Sequence, residues 1–462
     1  MLATGLIAID ATILATAVTS VTEDLGSFSS FPWLFSVYLL ATAVSVPIWS
    51  KLSDVVGRKP MLLAGIALFL LGSILCGAAP TMMTLIVFRA VQGLGGGAIM
   101  PISITVAGDI YTIAERAKAQ GYLASVWAIS SVLGPTLGGV FSQFVSWRWI
   151  FFVNIPIALL AGFLVMRGYH EKAARTQHRI DYAGAAVLTL GLTALLLGLL
   201  EGGTAWPWAS WQSAVAFGAA AVALVAFVLI ERRAAEPVLP LWVLGRRLLL
   251  TTTLISAGVG IVVTGLTSFV PNYLERSAGA APLVAGLAVA ALTLGWPLAA
   301  SNAGRLYLRV GFRPTALVGC ALALLGAVLL AVTAPLASIA LVAVASLIVG
   351  LGLGLVATPT LIAAQSSVGY GDRGVVTGTN VFARSVGSAV GVAVFGAIAN
   401  GVLASQAGRP IGVATIAATQ AVFLGTIAAG VLALAVAVVM PQVRPDGSVV
   451  TRTPAAVSPE PV

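Results

Sequence analysis

Long apolar runs, cut by short charged turns, decide what this chain can fold into. A helix crossing about 30 Å of hydrocarbon needs roughly 20 apolar residues. Such runs fall at 2 to 21, 32 to 50, 61 to 79, 82 to 107, 119 to 143, 148 to 167 and 183 to 201. Further runs follow at 212 to 230, 249 to 273, 282 to 303, 314 to 333, 336 to 363, 375 to 403 and 417 to 440. Fourteen transmembrane helices are therefore expected. Charged residues make up 8% of the 462 and hydrophobic residues 59%, against about 25% charged in an ordinary soluble chain, so most of the chain must avoid water. The Gly and Pro inside these runs are tolerated in membrane helices, whereas barrel strands would be half as long and would alternate polar with apolar. The expected class is an all-α membrane protein. Cys76 and Cys320 sit singly within apolar runs and suggest neither a disulfide nor a metal site. The first run is of full span length and lacks an A-x-A-like cleavage site, so no cleavable signal is expected.

Orientation follows from the basic residues. With both termini in the cytoplasm, nineteen Lys and Arg fall inside and only Arg148, Arg276 and Arg409 outside, which satisfies the positive-inside rule. The net charge of +9 is then a topology signal, and nucleic acid is not an expected partner because the basic residues are scattered over separate loops.

The chain also repeats itself. SKLSDVVGRKP at 50 to 60 is echoed by GRLYLRVGFRP at 304 to 314, and GLGGGAIMP at 93 to 101 by GLGLGLVATP at 350 to 359. Both matches keep nearly one offset, and both charged turns fall on the cytoplasmic side. Two parallel six-helix repeats, related by an axis along the membrane normal, are expected. The expected division is an N-terminal bundle at 1 to 170, two inserted helices with cytoplasmic linkers at 171 to 247, a C-terminal bundle at 248 to 440 and a disordered tail at 441 to 462.

Ionisable residues deep in the runs are few. Of fifteen acids only Asp10 lies deep in a span, and an ionised carboxylate there costs about 2.5 to 3.5 kcal/mol on insertion scales, so a partner or a proton is expected. Arg89 and Arg384 are the deep basic residues. Counting along the helices at about 1.5 Å per residue sets Asp10 and Arg384 at similar depth and Arg89 nearer the outside, which favours Arg384 as the partner. Neither Asp10 nor Arg89 recurs in the second repeat, where the offsets land near Thr264 and Ser346; that asymmetry points to function, with a structural ion pair as the alternative. Asp54 lies where the N-terminus of the thirteenth span, near Gly374, should meet it, and a helix N-terminus attracts a carboxylate. Asp54, Arg58 and Arg116 are therefore candidates for a cytoplasmic latch between the halves, the alternative being that the basic residues of the turn only enforce topology. Trp33, Phe35, Tyr38, Trp127, Phe269, Trp296 and Phe382 could hold a planar or cationic ligand, or could equally face lipid; none is assigned to a site.

These motifs resemble those of the major facilitator superfamily, and specifically its fourteen-helix drug:proton antiporter branch. SKLSDVVGRKP, with Asp54, Gly57 and Arg58, is similar to the superfamily's turn between its second and third helices, although Ser50 stands where Gly is usual. LIVFRAVQGLGGG at 85 to 97 resembles the fourth-helix motif, whose arginine, here Arg89, is linked to proton transfer. AIDATILATAV at 8 to 18 resembles the first-helix motif with a membrane-embedded acid, here Asp10. LGPTLGG at 133 to 139 looks like the antiporter signature, carried by Gly134, Pro135, Gly138 and Gly139. The resemblance thus favours Arg89 as the partner of Asp10, where the depth count favours Arg384; both remain candidates.

No G-x-x-x-x-G-K-[ST] loop is present, and no segment is long enough for an ATPase domain, so an ion gradient must supply the energy. The resemblance implies a monomeric proton antiporter of a bacterial cytoplasmic membrane, not an enzyme, needing no cofactor beyond the proton gradient. It would export small lipophilic or cationic compounds. Two alternatives are a dedicated exporter of one endogenous antibiotic or lipid, and a membrane sensor that keeps the fold without transport.

Overall fold

We describe the protein from a computed structural model covering residues 1–14, 18–25, 32–171, 181–203, 205–234, 242–406 and 408–443. The expected linker stretch at 172 to 180, with Lys172, Arg175, His178 and Arg179, and the tail from 444 onward lie outside the described residues.

The first bundle contains α1 (Leu2–Ile13), α2 (Val18–Leu25), α3 (Pro32–Val55), α4 (Arg58–Gly77), α5 (Met82–Ile110), α6 (Ile113–Phe144), α7 (Trp149–Phe152) and α8 (Asn154–Gly168). There follow α9 (Tyr182–Glu201), α10 (Trp211–Glu231) and the short α11 (Trp242–Gly245). The second bundle contains α12 (Arg247–Ala278), α13 (Pro282–Val310), α14 (Phe312–Thr333), α15 (Ile339–Ser366), α16 (Arg373–Ser405) and α17 (Ile411–Val439). Large apolar side chains such as Leu71, Val222 and Leu432 are exposed on the outside, as a lipid-facing surface requires.

The count of spans is corrected. Twelve described helices, not fourteen, are long and apolar enough to cross a membrane. The expected spans at 2 to 21 and 183 to 201 drop out. Among the described residues the first gives α1, of 12 residues, and α2, of 8, and at 1.5 Å per residue α1 rises about 18 Å. The second falls on α9, Tyr182–Glu201, within which the apolar stretch counted among the described residues is Ala183–Leu199.

The sequence repeat is visible as geometry. Gly57 and Gly311, at matching places in the two charged turns, precede α4 and α14 with φ of +118° and +91°, values that L side chains rarely adopt. A Cβ at Gly95 would lie 2.3 Å from Phe69 N, and one at Gly352 would lie 2.3 Å from Ala323 N. These glycines therefore seat α5 on α4 and α15 on α14 at backbone contact, a use of small residues common between membrane helices. The bundles meet where α6 packs on α13 and α3 on α16. Helices α9 and α10 pack on each other, and α9 lies against both α3 and α16.

Candidate functional site

Arg89 and Gln92 are three residues apart on α5 and so share a helix face. A Cβ at Gly93 would lie 2.6 Å from Tyr38 O, and one at Gly72 would lie 2.5 Å from Gln92 N, so α3 and α4 close tightly around that face. Asp10 meets it from α1. Arg89 Nη1 donates to Asp10 Oδ2 at 2.6 Å and to Gln92 Oε1 at 2.6 Å. Gln92 Nε2 donates to Asp10 Oδ1 at 2.8 Å and to Ser73 Oγ at 2.7 Å. Asn154 Nδ2, at the start of α8, donates to Asp10 Oδ1 at 3.3 Å and to Ser73 Oγ at 2.9 Å. Arg89 Nε donates to Leu34 O at 3.2 Å, and its guanidinium stacks 4.1 Å from the centre of the Tyr38 ring. Asp10 and Arg89 are each 1% exposed. Dehydrating two charges costs several kcal/mol per ion unless hydrogen bonds satisfy the remaining atoms, and here both carboxylate oxygens are satisfied.

Asp10 is thus joined to Arg89, not to Arg384. The depth count misled because distance along one helix does not fix height beside another. Arg384 lies on α16, where its Nη2 approaches Met100 Sδ at 3.7 Å. The sequence reading missed Ser73, Gln92 and Asn154. Gln92 had a signal, the Arg89 spacing of three; Asn154, a lone amide in an apolar run, had a weaker one, and Ser73 had none.

A second cluster ties the bundles together at one end. Asp54 Oδ1 pairs with Arg58 Nη2 at 2.8 Å, and the carboxylate accepts the Gly374 and Val375 amides at 3.0 and 2.7 Å. These amides open α16, where unsatisfied N–H groups and the helix dipole favour an anion. Arg58 Nε also pairs with Asp109 Oδ2 at 3.0 Å, and Asp109 Oδ1 pairs with Arg373 Nη1 at 2.9 Å. The Arg58 guanidinium lies 3.9 Å from the centre of the Tyr370 ring, and its Nη2 donates to Tyr370 O at 2.5 Å. Glu171 accepts the Arg58 and Lys59 amides at 2.7 and 3.4 Å, and a Cβ at Gly57 would lie 2.7 Å from Glu171 Oε2. Ser50, in the place where Gly is usual, is buried, and a Cβ at Gly378 would lie 2.2 Å from its Oγ. Arg116 does not join Asp54; its Nε donates to Tyr111 O at 3.2 Å. Glu171, Tyr370 and Arg373 were missed, and Asp109, an acid at a span end and a fallback candidate for proton carrying, was not expected in this cluster, because their roles depend on which helix ends the fold brings together.

Within LGPTLGG, a Cβ at Gly134 would lie 2.0 Å from Thr12 Oγ1, while one at Gly139 would meet nothing within 4 Å. Gly134 therefore seats α6 directly on α1, two residues from Asp10, and Thr12 Oγ1 donates to Ser130 O at 2.9 Å across the same contact. Gly138 is buried. The side chain of Pro135 lies outside the described residues.

Comparison with known proteins agrees with this architecture. The Major Facilitator Superfamily profile matches residues 1–392. The multidrug transporter protein MdtP of Bacillus subtilis (strain 168) is 34% identical over 407 residues, covering 87% of this chain and 75% of that protein. Multidrug resistance protein 3 of the same organism is 34% identical over 399 residues, covering 86% and 78%. The crystal structure of the human organic anion transporter MFSD10 (TETRAN) superimposes with a TM-score of 0.68 at 15% identity, covering 94% of this chain and 97% of that one, and at that identity it speaks for the fold alone. The profile match and the two 34% identities carry the assignment: the chain belongs to the Major Facilitator Superfamily, whose members are transporters and not enzymes.

Proposed function

We propose that the protein exports lipophilic small molecules across a bacterial cytoplasmic membrane in exchange for protons, with both termini in the cytoplasm. The observation that carries the reading is Asp10, a buried carboxylate held by Arg89, Gln92 and Asn154, which come from two other helices. A carboxylate beside an arginine is held ionised, whereas one that is separated and dehydrated takes up a proton. Movement of α1 against α5 would therefore alternate proton uptake and release at Asp10. The contact of Gly134 with Thr12 would pass a bend of α6 on to α1, which gives the antiporter signature a mechanical part.

The two bundles, 1 to 170 and 248 to 440, would rock about their interface, and the cluster of Asp54, Arg58 and Asp109 would latch the cytoplasmic end. The names of the two Bacillus relatives support export of several unrelated compounds over a single dedicated one. Purified protein in proteoliposomes, given an imposed inward proton gradient and a panel of lipophilic dyes, tests the reading. At least two unrelated dyes should be concentrated against their gradients; transport of a single metabolite, or none without another energy source, would refute it.

A further inference from the structure

Arg384 is the one deep cation that the Asp10 network does not use. It lies eleven residues into α16 from Arg373, about 16 Å along the helix, and so near mid-membrane. Its side chain is half-buried and faces α5 of the opposite bundle. Among the described residues no carboxylate lies within 4.0 Å of it, since the described ion pairs join other residues. The hydrogen-bond contact described for its side chain is to Met100 Sδ at 3.7 Å, and a thioether sulfur is a weak acceptor.

Two polar groups that pack in the same apolar cluster as Met100 also lack a hydrogen-bond partner. Tyr38 Oη is buried without a hydrogen-bond partner. A Cβ at Gly96 would lie 2.9 Å from that oxygen, and Gly96 and Met100 are one turn apart on the same face of α5. Thr42, one turn along α3 from Tyr38, donates its hydroxyl to Gly93 O at 3.1 Å. Trp127 Nε1, on α6, is likewise buried without a partner, and Trp127 packs against the same apolar cluster as Met100 and Tyr38. An indole N–H can only donate, and so can a guanidinium. The acid that a cationic cargo would need, Asp10, is sealed behind Arg89.

We infer that Arg384 is a cargo-binding residue and that the preferred cargo is a lipophilic monoanion, its carboxylate or equivalent oxyanion received by Arg384 beside Tyr38 and Trp127. The inference rests on the export reading above. It names the charge of the cargo, which that reading leaves open.

Three probes with one apolar body test it: 1-pyrenebutanoate, its primary amide and 1-pyrenebutylammonium. Binding to purified full-length protein is read by energy transfer from tryptophan to pyrene. A hydrogen-bonded charge pair should favour the butanoate over the amide about tenfold, with the ammonium weakest. Arg384→Gln should bring the butanoate-to-amide ratio near one, and Arg384→Lys should recover part of the preference. A ratio near one in the wild-type protein, tighter binding of the ammonium, or a preference that survives Arg384→Gln overturns the inference. Displacement of the butanoate by chloride at constant ionic strength would show that Arg384 holds an inorganic counterion, and overturns it as well. Transport separates the two levels: if the amide is exported in proteoliposomes but the butanoate is not preferred, only the anion inference falls; if no probe is bound or exported, the export reading falls with it.

Discussion

Replacing Asp54 by Asn should unlatch the end of the molecule where α3 meets α16. The carboxylate accepts two backbone amides at the start of α16, at 3.0 and 2.7 Å, and pairs with Arg58 at 2.8 Å. Asn has nearly the same size but one acceptor oxygen and no charge, so at least one amide loses its acceptor. Hydrogen bonds to a charged group contribute about 1.5 to 3 kcal/mol each. Arg58 is not stranded, because Asp109 and Tyr370 O still receive it. The net loss is therefore about 1.5 to 3 kcal/mol, enough to shift an equilibrium between closed and open forms about 10- to 150-fold. Spin labels at Ile110 and Gly369, both exposed, flank this contact from opposite bundles, and the two native cysteines are buried and can be removed. Double electron–electron resonance in nanodiscs should show the distance distribution moving to longer values in Asp54→Asn. An unchanged distribution together with unchanged transport would refute the latch.

Two further outcomes follow from local geometry. Gly134→Ala drives a methyl group onto Thr12 and should cost about 1 to 3 kcal/mol by overpacking, whereas Gly139→Ala, with open space around it, should leave the thermal midpoint unchanged; thermal melts of both variants decide. Asp24 is held below its ordinary value of 3.8 by hydrogen bonds from Arg148 and then Trp147, so whatever it contributes is present above the unfolded value and is lost as pH falls through the lower folded one. The difference in thermal midpoint between wild type and Asp24→Asn should be small at pH 6, since this pair is part-exposed and such pairs contribute little, and should shrink as pH falls below the ordinary value of 3.8.

Much of this architecture could be read from local chemistry. The duplicated turns required glycine at 57 and 311, and both take positive φ. Asp54 was expected near the start of the helix at Gly374, and it accepts that residue's amide. The runs at 2 to 21 and 183 to 201 were read as spans on apolar length alone, and neither is among the twelve described helices that qualify. Depth counting failed for Asp10 for a related reason, since the offset between neighbouring helices is set by packing such as Gly93 on Tyr38. Ser73 and Asn154 were hidden because one polar residue in an apolar run acquires meaning only from what the fold sets beside it.

The central claim is that protonation of Asp10 drives export. Asp10→Asn keeps the shape and an oxygen that can accept from Arg89, but it cannot take up or release a proton. In proteoliposomes with an imposed inward proton gradient, the purified variant should bind a lipophilic cargo and let it equilibrate, without concentrating it and without cargo-induced proton release. Concentration of the cargo by Asp10→Asn protein to the wild-type level would contradict the claim and move the proton to another carboxylate, Asp109 first.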